Sequence, residues 1–285
     1  MNIRSAFSFG TIMTMVLFLS ACHSNSAPQT AGPSPSVVLH PEWQSILDSC
    51  GVTGTTVLYF PNENVYHALD SSQLKSKYVV ASTFKIFNSL VSLETGVVKD
   101  ENEILKWDSV TRWVGNWNHD QGMKEAFANS TVWFYQECAR RVGENKMKNW
   151  LVKANYGASD ISKGIDQFWL NPGFELSPLQ QIDFLIRLQK NDLPFSQRSM
   201  DIVKNIMVRT DVENPDTIHA KTGWFKDETS NTGWYVGWVE RNNVPVFFAT
   251  CVHQPEPSRE DFPQCRIDIT RKVLQSMNVI SQNRR

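Results

Sequence analysis

Thr217-Ile218-His219-Ala220-Lys221-Thr222-Gly223-Trp224, followed by Thr232 to Glu240 (TGWYVGWVE) and Val244 to His253 (VPVFFATCVH), is the stretch that decides the architecture. Each run is rich in β-branched and aromatic residues, as strands are. Arg241-Asn242-Asn243 separates the last two as a tight hairpin turn. Ile267, Val273, Leu274 and Met277 then mark a closing helix. Towards the other end, Thr55 to Phe60 (TTVLYF) and Val65 to Leu69 read as two more strands, with Pro61-Asn62-Glu63-Asn64 as their turn. From Glu101 to Arg209 the chain reads as mostly helix and loop, and Leu179 to Leu188 (LQQIDFLIRL) is its clearest amphipathic stretch. The expected fold is therefore α/β of the α+β type. One antiparallel sheet is built from both chain ends, flanked by helices, and carries a helical insertion over residues 101–209.

Around this core, composition sets limits. A chain of 285 residues can bury a real core, and with 20% charged residues and a net charge of -1 nothing favours nucleic acid or an anionic surface as partner. Ten Trp and sixteen Phe are read mainly as packing. Residues 1–22 read as a targeting segment: Arg4 supplies positive charge, and Thr11 to Leu19 is apolar but too short to span a bilayer. It ends in Leu19-Ser20-Ala21-Cys22, which looks like a bacterial lipoprotein box with Cys22 as the lipidated residue. Residues 23–39, rich in Ser, Pro and Ala, are expected to be a flexible tether, with a single folded domain over 40–285. The expected location is the periplasm or cell envelope, with membrane contact only through that anchor. Cys50, Cys138, Cys251 and Cys265 could form two disulfides in any of three pairings. Free buried thiols fit equally well.

Two short motifs carry the chemistry. In Ser82-Thr83-Phe84-Lys85 the Ser opens a helical pattern, where the helix dipole and free N–H groups favour developing negative charge. Lys85 lies one turn on, so a neutral amine there can act as the base that a Ser nucleophile needs. Alone the motif is weak: Ser82 could be a plain N-cap, and Ser72-Gln73-Leu74-Lys75 repeats the pattern in a polar surface segment. Its company is Lys221-Thr222-Gly223, late in a strand. There Lys221 and Thr222 can hold a carboxylate, and Gly223 allows close approach of a ligand backbone. The combination is far more specific than either part and is found in β-lactamases and penicillin-binding proteins. The six His residues have no metal-ligand spacing, and Cys251 with His253 lacks a third ligand, so no metal is expected.

Between these motifs, Ser130-Thr131-Val132 resembles the middle element of the class D, oxacillinase-type serine β-lactamases. Trp117 with Asp120, Tyr156-Gly157, Phe168-Trp169-Leu170, Ser177-Pro178-Leu179-Gln180-Gln181 and Gly233-Trp234-Tyr235-Val236-Gly237-Trp238 extend the likeness over nearly all of residues 41–285. The resemblance implies a β-lactamase/transpeptidase-like fold and hydrolysis of β-lactam antibiotics through a Ser82 acyl-enzyme. It implies that Lys85, carboxylated on its amine by CO2, is the base, that Ser130 relays a proton, and that Trp169 donates to the carbamate. Lys221, Thr222 and Arg266 would hold the drug's carboxylate, with Val132, Gly223 and Trp224 around it. The backbone N–H groups of Ser82 and Trp224 would form an oxyanion hole. No separate cofactor is implied. One departure stands out: Ala158 follows Tyr156-Gly157 where the family has Asn, which removes hydrogen-bonding groups from that loop. A β-lactam sensor that acylates without turnover and a penicillin-binding protein are the rival readings. Drug spectrum and oligomeric state are not legible.

Overall fold

The computed structural model describes residue 1 and residues 34–209, 217–241 and 244–281. The chain divides into residues 1–34 and a second unit, Pro35–Arg285, which holds the fold. The expected signal segment, Cys22 and most of the expected tether lie outside the described residues.

In chain order the elements are β1 (Ser36–Leu39), α1 (Gln44–Asp48), β2 (Thr53–Phe60), β3 (Val65–Ala68), β4 (Tyr78–Val79) and α2 (Lys85–Glu94). The helical middle follows as α3 (Met123–Ala128), α4 (Val132–Val142), α5 (Glu144–Lys153), β5 (Glu175–Leu176), α6 (Pro178–Gln189) and α7 (Gln197–Ile206). The chain then closes with β6 (Thr217–Lys226), β7 (Ser230–Arg241), β8 (Val244–Pro255) and α8 (Phe262–Ser276). The main sheet has the order β1-β3-β2-β8-β7-β6, so strands from both ends meet where β2 pairs with β8.

Alternation along the long strands builds two cores. Trp234, Val236 and Trp238 of β7, with Phe247, Ala249 and Cys251 of β8, pack against the helical middle. Tyr235 and Val239, with Val246, Phe248 and Val252, face the opposite way, where α1 and α8 cover them. This is the period-two arithmetic of a sheet buried on both faces. At the centre of the first core lies α2, whose residues Lys85 to Leu93 are all buried. Its polar groups are satisfied locally: Asn88 Nδ2 donates to the Tyr135 carbonyl at 3.0 Å, and Ser89 pairs with the Tyr135 hydroxyl at 2.9 Å.

The structure corrects several expectations. Residues Ser36–Leu39, assigned to the tether, form an edge strand that pairs parallel with β3, so the sheet is mainly rather than wholly antiparallel. Arg241 is the last paired residue of β7, opposite Val244, and the two residues between lie outside the described region. The two-residue strands β4, just before α2, and β5, in the helical middle, pair with each other and are too short to have a readable period. The four described cysteines are free and buried.

Candidate active site

The segment entering α2 is a tight 3-10 turn, Ala81–Phe84, so Ser82 sits on that turn and α2 proper begins at Lys85. Ala81 is held at φ +47 and Ser130 at φ +56, a left-handed conformation that costs a residue with a Cβ about 1–2 kcal/mol. Both positions aim a serine at the same space. The turn is fixed from three sides. Thr83 Oγ1 donates to the Val80 carbonyl at 2.7 Å, Gln181 Nε2 donates to Thr83 Oγ1 at 3.0 Å, and Trp234 Nε1 donates to the Val79 carbonyl at 2.9 Å. Gln181 is carried by α6, whose start is set by a Ser177–Gln180 capping box. Thr83 and Gln181 are positioning residues that the motif reading passed over.

Lys85 Nζ lies 2.8 Å from Ser82 Oγ. Burial pushes the Lys85 amine down to about 7 from its ordinary 10.5. The cause is desolvation alone, and a neutral amine beside a hydroxyl is a usable base. Lys221 reaches Ser130 from the sheet side, its Nζ 3.0 Å from Ser130 Oγ and 3.1 Å from the Thr222 carbonyl oxygen. Burial first, and then the nearby charges of Lys85, Arg266 and Arg209, hold Lys221 well below its ordinary value. Arg266, near the start of α8, donates through Nη1 to the Gly223 carbonyl at 2.9 Å, and burial lowers it to about 10.

Gly223 sits where the protein itself leaves little room for a side chain. A Cβ there would lie 3.0 Å from the Val80 carbonyl oxygen and 3.1 Å from Thr83 Cγ2, so the close approach is between β6 and the Ser82 turn. Gly223 also lines the cleft beside Ser82, so a packing reason stands next to the expected one, close approach of a ligand backbone.

The residues meet in a cleft of about 190 Å³ lined by Ser82, Trp113, Trp117, Ser130, Val132, Leu170, Thr222, Gly223, Trp224 and Arg266. Trp169 lies behind it, fully buried and stacked on Phe84 at 5.0 Å, with an Nε1–H that has no partner. Arg266 Nε is likewise unpaired. Among the described buried residues there are three Lys and Arg side chains, Lys85, Lys221 and Arg266, and no Asp or Glu. Such a site favours anions. Ala158 is exposed and does not line this cleft, so the missing family amide leaves the catalytic groups in place. A larger hollow beside Glu101 and Ile104 brings together no nucleophile and base.

Residues 53–274 match the family described as penicillin binding protein transpeptidase domain. The chain is 39% identical over 227 residues to "Beta-lactamase OXA-48" of Klebsiella pneumoniae, covering 80% of this chain and 84% of that protein. It is 35% identical to "Beta-lactamase OXA-10" of Pseudomonas aeruginosa, covering 91% and 96%. The chain belongs to the class D β-lactamases. The crystal structure of a class D β-lactamase from Sebaldella termitidis superposes with a TM-score of 0.82 at 33% identity, covering 87% of this chain and all of that one. The C-terminal domain of the Bacillus licheniformis BlaR penicillin receptor also superposes, with a TM-score of 0.80 at 26% identity over 87% of this chain and 98% of that domain. As a class D enzyme the chain is a serine hydrolase of a family that works through an acyl-enzyme.

Proposed function

We propose that this chain is an exported enzyme that hydrolyses β-lactam antibiotics, with Lys85 carboxylated by CO2 as its working base. The observation that carries the reading is a pair: a neutral, buried Lys85 amine 2.8 Å from Ser82 Oγ, and a buried Trp169 Nε1–H without a partner. A buried donor left unpaired costs about 1–3 kcal/mol, so its retention on a ring stacked against Phe84, the residue before Lys85, supports a group that accepts from it. When bound, that carboxylate would supply an anionic base in a site with no Asp or Glu among its described lining residues.

The chain's own groups do the rest. Ser82 Oγ attacks the lactam carbonyl carbon, and its proton leaves toward the Lys85 side. The C–N bond of the ring breaks, and Ser130 Oγ gives the departing nitrogen a proton. Lys221 Nζ, 3.0 Å away, is placed to replace it. Thr222 and Arg266 suit the drug's carboxylate, the guanidinium being able to offer its unpaired Nε. Water then hydrolyses the Ser82 ester and restores the hydroxyl. For location, the Leu19-Ser20-Ala21-Cys22 box supports anchoring through a lipidated Cys22.

The test is turnover of a chromogenic cephalosporin in degassed buffer and again with bicarbonate. Sustained turnover that bicarbonate accelerates is the expected result. A burst of one product per protein would make the chain a β-lactam sensor, the function the likeness to the penicillin receptor would favour. Full turnover without CO2 would leave Lys85 acting as a plain amine.

A further inference from the structure

We propose that Trp113 is a specificity-determining residue, an aromatic platform at the mouth of the cleft that takes the ring of an arylacylamino side chain on the β-lactam. This rests on the reading of the chain as a β-lactam hydrolase and names the substituent it favours.

Trp113 is 85% exposed, far more than any other Trp described. Bare indole surface in water is unfavourable, at about 25 cal/mol per Å². Its place gives that exposure a use, because Trp113 lines the same cleft as Ser82, whereas exposed Ile104, Val110 and Val152 do not. The other two cleft tryptophans are tied by their N–H groups. Trp117 donates to the Asn129 carbonyl at 3.0 Å, and Trp224 donates to Asn231 Oδ1 at 2.8 Å. Trp113 makes a single ring contact, tilted against Trp117 at 6.2 Å.

The backbone carrying Trp113 is clamped. Arg112 N donates to Asn118 Oδ1 at 2.8 Å, Asn118 Nδ2 returns a bond to the Arg112 carbonyl at 2.9 Å, and the Arg112 guanidinium pairs with both Asp108 oxygens. A fixed lip thus bears a ring with a free face. Charge orients the substrate against it. Lys221 and Arg266 draw the carboxylate to the β6 and α8 side, and a β-lactam nucleus carries its acylamino group at the end opposite that carboxylate. The end left over meets the Trp113–Trp117 lip, where an offset or edge-on aromatic contact is available.

The experiment compares benzylpenicillin with its side-chain-free nucleus, aminopenicillanic acid, on wild type, Trp113→Ala and Trp113→Phe. For Trp113→Ala, KM for benzylpenicillin should rise about tenfold with kcat little changed, while KM for the bare nucleus moves by less than about threefold. Trp113→Phe should recover most of the loss. Equal effects on both substrates, or none on either, would overturn the proposal. Wild-type protein that turns over neither compound would instead overturn the hydrolase reading on which it rests. Thermal denaturation of the variants should match wild type, since the ring is almost wholly in solvent.

Discussion

Replacing Lys85 by Met should abolish activity and make the protein more stable. The amine is fully buried, and desolvation holds it near 7 against 10.5 for a free Lys. A base whose folded value is depressed binds fewer protons folded than unfolded between those two values. Wild-type stability therefore rises with pH across that window, by about 1.4 kcal/mol per unit. From 7 to 10.5 the cost recovered is at most about 5 kcal/mol. Met fills nearly the same volume without the amine. Its gain is reduced by about 1 kcal/mol for the lost contact with Ser82 Oγ. Near pH 7 the variant should be more stable by about 3 kcal/mol, or roughly 10 °C in Tm for a domain of this size. The gap should close as pH approaches 10.5. Urea unfolding of both proteins in CO2-free buffer, followed by tryptophan fluorescence, reads this directly. Bicarbonate should narrow the gap by stabilising wild type alone, since whatever binds only the folded amine adds to folding. A variant less stable than wild type at neutral pH, or a gap that does not change with pH, would refute the reasoning. Either outcome would mean that favourable contacts hold Lys85, such as the Tyr135 ring 5.4 Å away, rather than that the fold bears its desolvation.

Ser82→Ala should fold normally and form no covalent penicillin adduct by intact mass spectrometry, because the N-cap of its turn is Val80 and the contact shown for Ser82 Oγ is with Lys85 Nζ. Trp169→Phe keeps the stacking on Phe84 but loses the N–H, so half-maximal activation should need about tenfold more bicarbonate, measured from initial rates. Gly223→Ala puts a methyl 3.0 Å from the Val80 carbonyl oxygen and should cost about 1–3 kcal/mol in chemical denaturation, with a larger loss of kcat as the Ser82 turn shifts. Cys22→Ser should move the protein from the membrane fraction to the soluble envelope fraction; wild type already soluble, with an unmodified N-terminus beyond residue 22, would remove the lipoprotein assignment.

How much of this was legible depends on what each element is made of. The long strands β6, β7 and β8 were readable because all three are rich in β-branched and aromatic residues, and no terminus ran more than two residues past its expected end. The amphipathic run at Leu179–Leu188 lies within α6 for the same kind of reason. The edge strand β1 was missed because all four of its residues are exposed, so no buried face marks a period, and a Ser/Pro-rich segment precedes it. The four cysteines could not be paired from sequence, and their burial as free thiols reflects packing that no spacing encodes.

For the site, types and order were legible and the reasons were not. Ser82, Lys85, Ser130 and Lys221 could be picked from motifs, but no motif says that Ala81 and Ser130 are held left-handed to bring two serines to one space. Nor does it say that Gly223 is small because β6 packs on the Ser82 turn. What joins these facts is electrostatic. The fold holds strain at two positions and desolvates three basic side chains with no buried carboxylate among the described residues to offset them. Each feature alone destabilises, and a structure evolved for stability alone would pair or replace them. Together they make a cleft whose missing partner is negative charge, and the proposed mechanism would supply it twice: as a carboxylate on the Lys85 amine and as the carboxylate of the substrate. A β-lactam brings the second with its carboxylate and develops further charge as its carbonyl is attacked. The cost borne by the resting protein is thus relieved as substrate binds and reacts, which is the direction catalysis requires.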